Sequence, residues 1–279
     1  MFSAALMGVC AMVGSTTTAG VVADTDETDP VRFYDGFAEE YELAYGGNWE
    51  SAMEQQGATL DALIRDLLPE ARAALDCSCG IGTQAIGLAR CGYRVVGTDI
   101  SSAEIDRARR EAQRLAVNAS FSVADFRDLS GVEGEFDVVI SCDNAIPHLL
   151  NESDVRRALE QMLSKLRAGG LVVITMRDFD RALAEKPSIA PPVVVPGSPR
   201  RVLVRLHDWY ADEPFYTVRF LVLTEADGGW LVKEHTTRYR AITRAELAAA
   251  ATAAGFEGID WPTDRALIGD QQVMTARRP

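Results

Sequence analysis

The sequence has no apolar run long enough to cross a membrane. The apolar N-terminal stretch "MFSAALMGVCAMVG" falls short of the roughly twenty residues a bilayer needs. It also lacks the Lys or Arg that opens a secretory signal. Residues 1–30, which end in the acidic run "ADTDETDP", therefore read as a flexible extension. Basic residues are scarce: 28 Lys and Arg against 41 Asp and Glu leave a formal charge of −13. Such a surface repels phosphate backbones and argues against a nucleic-acid partner. Histidine is scarcer still, with His148, His207 and His235 scattered along the chain. The five cysteines, Cys10, Cys77, Cys79, Cys91 and Cys142, are odd in number and follow no framework spacing, as expected of reduced thiols in a cytoplasmic protein. Cys77 and Cys79 invite a metal reading, but no second Cys or His pair stands at a ligand spacing, so no metal is expected.

What is present is enough apolar material for a sizeable core, 47% of 279 residues, and a regular alternation of elements. Short apolar runs around Ala73–Cys77, "YRVVGTD", "ASFSVAD", "FDVVISCD" and "LVVITMRD" alternate with helical segments, among them Glu54–Leu67, Thr83–Arg90 and Glu152–Leu166, the last closed by Gly169 and Gly170. Continuous apolar strands between helices predict a parallel sheet covered on both faces. Ligands of such sheets bind at the carboxyl ends of the strands, where Asp99, Asp125, Asp143 and Arg177 all fall. Phe37, Tyr41 and Tyr45 recur every four residues and predict one helix face, either packed on the core or covering a ligand; Gly46 and Gly47 stop that helix. Beyond Arg177 comes a proline-rich loop, "PSIAPPVVVPGSPR". Alternating apolar and polar residues then predict an antiparallel hairpin turned at "DGG". A helix from Arg244 to Ala254 and a strand "QQVMTARR" complete the sheet. Domain boundaries follow: an extension over 1–30, a helical lid over 31–70, a ligand-binding core over 71–180, an antiparallel extension on the substrate side over 181–240, and a completing segment over 241–279.

The turn "LDCSCGIGTQAIGLA", residues 75–89, marks the ligand site. "GIGTQA" fits the glycine pattern of a dinucleotide site, with Asp99 about twenty residues on to hold a ribose. That reading gives no role to Asp76 before the loop or to "ADF" after the third strand. A second reading accounts for all four features in order. Asp76, Ser78, Gly80 and Gly82 form an acid followed by small residues at alternate positions. The turn so read resembles the first motif of the class I S-adenosylmethionine-dependent methyltransferases, with Ser78 in place of the first glycine. The resemblance implies a Rossmann-like α/β fold with S-adenosylmethionine as cofactor. Asp99 would take the ribose hydroxyls with Ile100 beside them, and Asp125 and Phe126 the adenine. Tyr34, Trp49 and Cys142 complete the implied cofactor set.

The stretch "CDNAIPHLLNESDV…VVITMRDFD" is similar to the glycine/sarcosine N-methyltransferase group of that class. The likeness runs from about Phe33 to the C-terminus and is strongest over Leu75–Asp180. It implies a small methyl acceptor carrying a carboxylate. Arg177 would clamp the carboxylate while Asn144 and Tyr239 orient the amine, and the enzyme would be an N-methyltransferase acting on an amino-acid-like substrate, possible as a homo-oligomer. His148 stands either as a base or as a structural residue after Pro147. Arg177 has a competing reading too, an ion pair with Asp178 or Asp180. A natural-product O- or C-methyltransferase would share every cofactor residue and leave Arg177 unused. An NAD-dependent oxidoreductase is the more distant alternative.

Overall fold

The computed structural model describes residues 29–262 and 271–279; the expected N-terminal extension lies outside them up to residue 28. The chain opens with α1 (Pro30–Phe37), a 3-10 segment (Ala38–Tyr45) and α2 (Trp49–Leu67). The alternating half follows: β1 (Ala73–Asp76), α3 (Thr83–Arg90), β2 (Arg94–Asp99), α4 (Ser102–Arg114), β3 (Ala119–Val123), β4 (Phe136–Ser141), a 3-10 turn (Ile146–His148), α5 (Glu152–Lys165) and β5 (Leu166–Met176). Next come α6 (Phe179–Glu185) and four strands, β6 (Ile189–Val195), β7 (Arg201–Trp209), β8 (Phe215–Ala226) and β9 (Gly229–Arg240). The chain closes with α7 (Arg244–Ala254), β10 (Glu257–Asp260) and β11 (Gln272–Arg277).

Two sheets result. The larger has the order β10-β11-β5-β4-β1-β2-β3, with β1 to β5 mutually parallel and β11 antiparallel to β5. The smaller is an antiparallel meander, β6-β7-β8-β9. The apolar strands bury both faces by the two-residue period of extended chain. On β5, Val172, Ile174 and Met176 join one core cluster while Leu171 and Val173 join the other. The first cluster is closed by α5, α7 and the smaller sheet, the second by α2, α3 and α4. Each fully buried Leu, Ile or Val contributes about 1.5–3 kcal/mol, so the central strands anchor the loops at their ends. On the second face α2 and α3 meet backbone to backbone. A Cβ on Gly87 would lie 2.6 Å from the Met53 carbonyl oxygen and 2.8 Å from Gly57 Cα. Only glycine permits that approach.

Four expectations are corrected. Phe37, Tyr41 and Tyr45 do not share one α-helical face: α1 ends at Phe37 and the next eight residues are 3-10. Phe37 is buried in the core while Tyr41 and Tyr45 turn toward a cavity. The second helix starts at Trp49 rather than Glu54, because the Asn48 side chain caps it by accepting from the Ser51 N–H (3.3 Å). Gly169 and Gly170 do not close α5: the chain turns extended at Leu166, whose carboxyl-side neighbours loop out before rejoining the β4 register. The proline-rich loop contains strand β6, paired to β7 with an irregularity between Ala190 and Val193. Pro191 and Pro192 cannot donate to a ladder, and an edge strand is where a sheet accommodates them. The hairpin at "DGG" is as expected, with Ala226 opposite Gly229. So is α7, whose Thr243–Glu246 capping box and left-handed Gly255 define its ends.

Candidate active site

The loops at the carboxyl ends of β1, β2 and β4 surround a cavity of about 410 Å³. In the turn after β1, Cys79 N–H donates to the Thr98 carbonyl (2.9 Å) and Gly80 N–H donates to Asp99 Oδ2 (2.9 Å). Gly82 then starts α3 at φ +91°, where an added Cβ would meet Ile86 Cδ1 at 2.9 Å. Asp99, at the end of β2, also accepts from Ser101 N–H through Oδ1 (3.0 Å). A carboxylate has about four lone-pair sites; with the Ile100 amide also acting on it, Asp99 keeps about one acceptor position, and it lines the cavity.

Three acids crowd this turn, and burial raises the pKa of each. Asp76 is fully buried and pushed up to about 8, chiefly by desolvation, with Asp99 adding to the rise. Desolvation likewise raises Asp99. Glu104, on the first turn of α4 and 1% exposed, is raised well above the usual carboxylate range by burial and then by Asp99. Glu104 Oε1 and Asp76 Oδ2 are buried without a hydrogen-bond partner. A site with this acidity is suited to a ligand that brings positive charge and hydrogen-bond donors. At the far wall Asp125 lies two residues beyond the end of β3, bound by Arg127 through Nε and Nη2 (2.6 Å). Arg127 also reaches Asp154 on α5 (3.1 Å).

A second cavity of about 180 Å³ adjoins the first. Tyr34, Tyr41, Tyr45 and Asp143 line both. The second is otherwise walled by Phe33, Phe37 and Phe220 and by the polar groups Asn144, Arg177, Arg205, Tyr239 and Gln271. The wall between the two is built after β4, where Asp143 and Asn144 take left-handed φ values of 59° and 73°. Such backbone is uncommon outside glycine and is tolerated best by Asp and Asn. It is fixed by β5: Asp143 N–H donates to Thr175 Oγ1 (2.9 Å), Asn144 N–H to the Thr175 carbonyl (3.2 Å), and Arg177 N–H to Asn144 Oδ1 (3.1 Å). The Asn144 amide nitrogen is buried and unpartnered.

Arg177 follows directly on β5. Its guanidinium lies 6.0 Å from the Tyr239 ring centroid, with the Tyr216 hydroxyl beside it. Burial works against its charge, while Tyr216 and Tyr239 support it. The alternative ion pairs are not made: Asp178 caps α6 and Asp180 binds Arg244 (3.2 Å). Among the described residues, no carboxylate sits within ion-pair distance of Arg177. His148 stands at the boundary of the first cavity, its Nε2 at 2.8 Å from the Tyr34 hydroxyl and its Nδ1 at 3.3 Å from Thr237 Oγ1. Burial, and then the charge of Arg177, push it down to about 3. It is a neutral hydrogen-bonding group and a weak base.

Residues 74–170 match a family model described as a methyltransferase domain. The chain is 34% identical over 161 residues to a glycine/sarcosine N-methyltransferase of Parasynechococcus marenigrum, covering 56% of this chain and 57% of that protein. It is 30% identical over 191 residues to the glycine N-methyltransferase of Homo sapiens, covering 63% and 62%. The chain thus matches less than two thirds of these relatives' own length. Among solved structures, an S-adenosylmethionine-dependent methyltransferase from Clostridium acetobutylicum superposes with a TM-score of 0.71 at 11% identity, covering 88% of this chain and 98% of that one. An amino pentose methyltransferase from Micromonospora echinaspora, solved with SAM bound, gives 0.70 at 22% identity, covering 86% and 96%. These similarities establish the Rossmann-like class I methyltransferase fold.

The structure gathers most of the residues singled out from sequence. Tyr34, Ser78, Gly80, Asp99, Ile100, Asp125, Phe126, Cys142 and His148 line the larger cavity; Asn144, Arg177 and Tyr239 line the smaller. Three stand behind the wall. Asp76 is buried under the turn, Gly82 shapes the start of α3, and Trp49 donates through Nε1 to Thr83 Oγ1 (2.8 Å). Glu104 and Gln271 also line the site, as does Asp143, expected at the ligand-bearing edge of the sheet and lining both cavities. For Asp143 a signal existed, an acid at a strand end immediately before Asn144. Among the described residues, no cluster of three or more His, Cys, Asp or Glu side chains is arranged to hold a metal ion, and no helix is long and apolar enough to cross a membrane.

Proposed function

We propose that this protein is an S-adenosylmethionine-dependent N-methyltransferase whose acceptor is a small amine bearing a carboxylate. The observation that carries the reading is Arg177: a guanidinium with no carboxylate partner among the described residues, in an aromatic-walled cavity that adjoins the larger one. The homology to glycine/sarcosine and glycine N-methyltransferases supports the acceptor class. The larger cavity suits the cofactor, whose ribose hydroxyls would find free acceptor capacity on Asp99 and whose positive charge would meet the acids around the glycine turn. Phe126 offers an apolar face at the far wall. When bound, S-adenosylmethionine supplies a methyl group already activated on a sulfonium.

The chain's own residues then have positioning work, which in bimolecular reactions accounts for much of an enzyme's acceleration. Arg177 holds the acceptor carboxylate by a planar fork suited to bidentate contact. The Asn144 amide and the Tyr239 hydroxyl orient the amine. Tyr34, Tyr41 and Tyr45 close the wall and exclude water. His148, neutral throughout the physiological range, keeps Tyr34 in place by their 2.8 Å hydrogen bond rather than taking the proton.

Thermal shift tests the cofactor assignment. S-adenosylmethionine and S-adenosylhomocysteine should raise the melting temperature by mass action while NAD does not. Stabilisation by NAD alone would refute it. A screen of small amino acids, simple amines and amino sugars then reads the acceptor class, and turnover of the amino sugars alone would overturn the carboxylate reading.

A further inference from the structure

The wall shared by the two cavities carries a carboxylate that the reading above leaves without a role. Asp143 accepts from the Tyr45 hydroxyl (2.7 Å) and from the Tyr41 hydroxyl (3.4 Å) through Oδ2, and from Gln271 Nε2 (2.8 Å) through Oδ1. All three donors are neutral. With about four acceptor sites on a carboxylate, three are taken and one remains toward the cavities that Asp143 lines. Among the described residues Asp143 has no ion-pair partner. Two cations, Arg177 and Arg205, line the same smaller cavity; Arg177 feels the Asp143 charge without bonding to it.

A half-buried anion and a half-buried cation, neither ion-paired and both facing one cavity, cost folding free energy that their neutral hydrogen-bond and aromatic neighbours return only in part. A ligand with separated opposite charges would satisfy both. The left-handed backbone at Asp143 and Asn144 belongs to the same device. It places the carboxylate on the wall facing both cavities, at the cost of a strained turn held by Thr175.

We infer that Asp143 is the acceptor's amine-reading residue: it accepts an N–H of the acceptor nitrogen at the junction of the cavities, so that the smaller cavity selects a zwitterion with Arg177 at its other pole. This rests on the carboxylate-bearing acceptor proposed above. It adds the requirement that the amine be recognised by charge, as an ammonium that gives up a proton to solvent before its nitrogen attacks the methyl group, and it makes Asp143 a specificity-determining residue that touches the substrate.

The test reads binding rather than turnover. The protein is saturated with S-adenosylhomocysteine, and calorimetry measures glycine, acetate and methylamine against the wild type and Asp143→Asn. Glycine should bind the wild type, and the variant should bind it about 10- to 100-fold more weakly, the usual range for a lost charge-assisted contact. Acetate, which has no amine, should bind both proteins equally. Stabilisation of the variant by S-adenosylhomocysteine shows that it is folded. If the variant loses glycine and acetate to the same degree, Asp143 only supports the wall and the inference falls, while the carboxylate reading survives. If methylamine binds in an Asp143-dependent way and acetate does not bind, Asp143 stands as amine reader and the carboxylate reading falls. Binding of none of the three probes to the wild type overturns both.

Discussion

Replacing Arg177 by methionine separates function from stability. The side chain keeps its length and loses its charge. A bidentate guanidinium–carboxylate contact comprises two charge-assisted hydrogen bonds, each worth about 1.5–3 kcal/mol. Together they correspond to roughly a 10²- to 10⁴-fold fall in kcat/KM, at about 1.4 kcal/mol per factor of ten. The folded protein without acceptor gains and loses little. The cation–π contact with Tyr239, 6.0 Å to the ring centroid, contributes about 1 kcal/mol. Removing a half-buried charge that has no carboxylate partner returns a similar amount. The melting temperature should therefore move by no more than about 3 °C. Initial rates with a small amino acid, calorimetry with S-adenosylhomocysteine and a thermal melt read the three quantities in one preparation. Cofactor affinity falling in step with turnover would show that Arg177 is a structural residue, and the reasoning would fail. So would a loss of about 8 °C or more.

Other outcomes follow from the same geometry. Asp99→Ala removes the acceptor of the Gly80 and Ser101 amides as well as the proposed ribose contact, so S-adenosylhomocysteine affinity should drop at least about tenfold by calorimetry. Gly87→Ala forces a Cβ to 2.6 Å from the Met53 carbonyl; overpacking of this kind costs about 1–3 kcal/mol, and a thermal melt should show a fall of several degrees with cofactor affinity retained. Burial raises Asp76 from an ordinary value near 3.8 to about 8, so the folded state binds the proton more tightly than the unfolded chain. That stability is complete below the unfolded value and is lost as pH rises toward 8. The ligand-free protein should therefore melt at lower temperature at pH 8 than at pH 6, and Asp76→Asn should flatten that slope; an unchanged slope would reassign the effect.

The parallel sheet and its ligand-bearing edge were legible because local chemistry and tertiary role agree there. Short, wholly apolar strands can only be buried on both faces, and an acid closing such a strand, as Asp99 does, can only face the loops. Agreement broke where long-range contacts decide. Nothing local shows that Tyr34 on α1 reaches His148, 114 positions away, or that burial and the charge of Arg177 make the imidazole a weak base. The four-residue spacing of Phe37, Tyr41 and Tyr45 implied one α-helical face, but the 3-10 segment rotates the tyrosines toward Asp143 while Phe37 enters the core. Strand β6 was hidden by Pro191 and Pro192, which read as loop until an edge position is known. The Asn48 cap and the Asp125-x-Arg127 clamp are both short-range patterns that the sequence displays.

The proline-bearing rim of the smaller sheet has a bearing on how copies of this chain can associate. Continuing a sheet from one molecule into the next requires amide donors at alternate residues along the joining strand, and of the adjacent Pro191 and Pro192 one removes a donor from the open edge of β6 while both sit at its irregularity. Growth by strand addition is blocked along that rim, as in other proteins that guard their open borders. An assembly that uses this part of the surface has to be built face to face, through side chains, with its geometry set by shape rather than by backbone register.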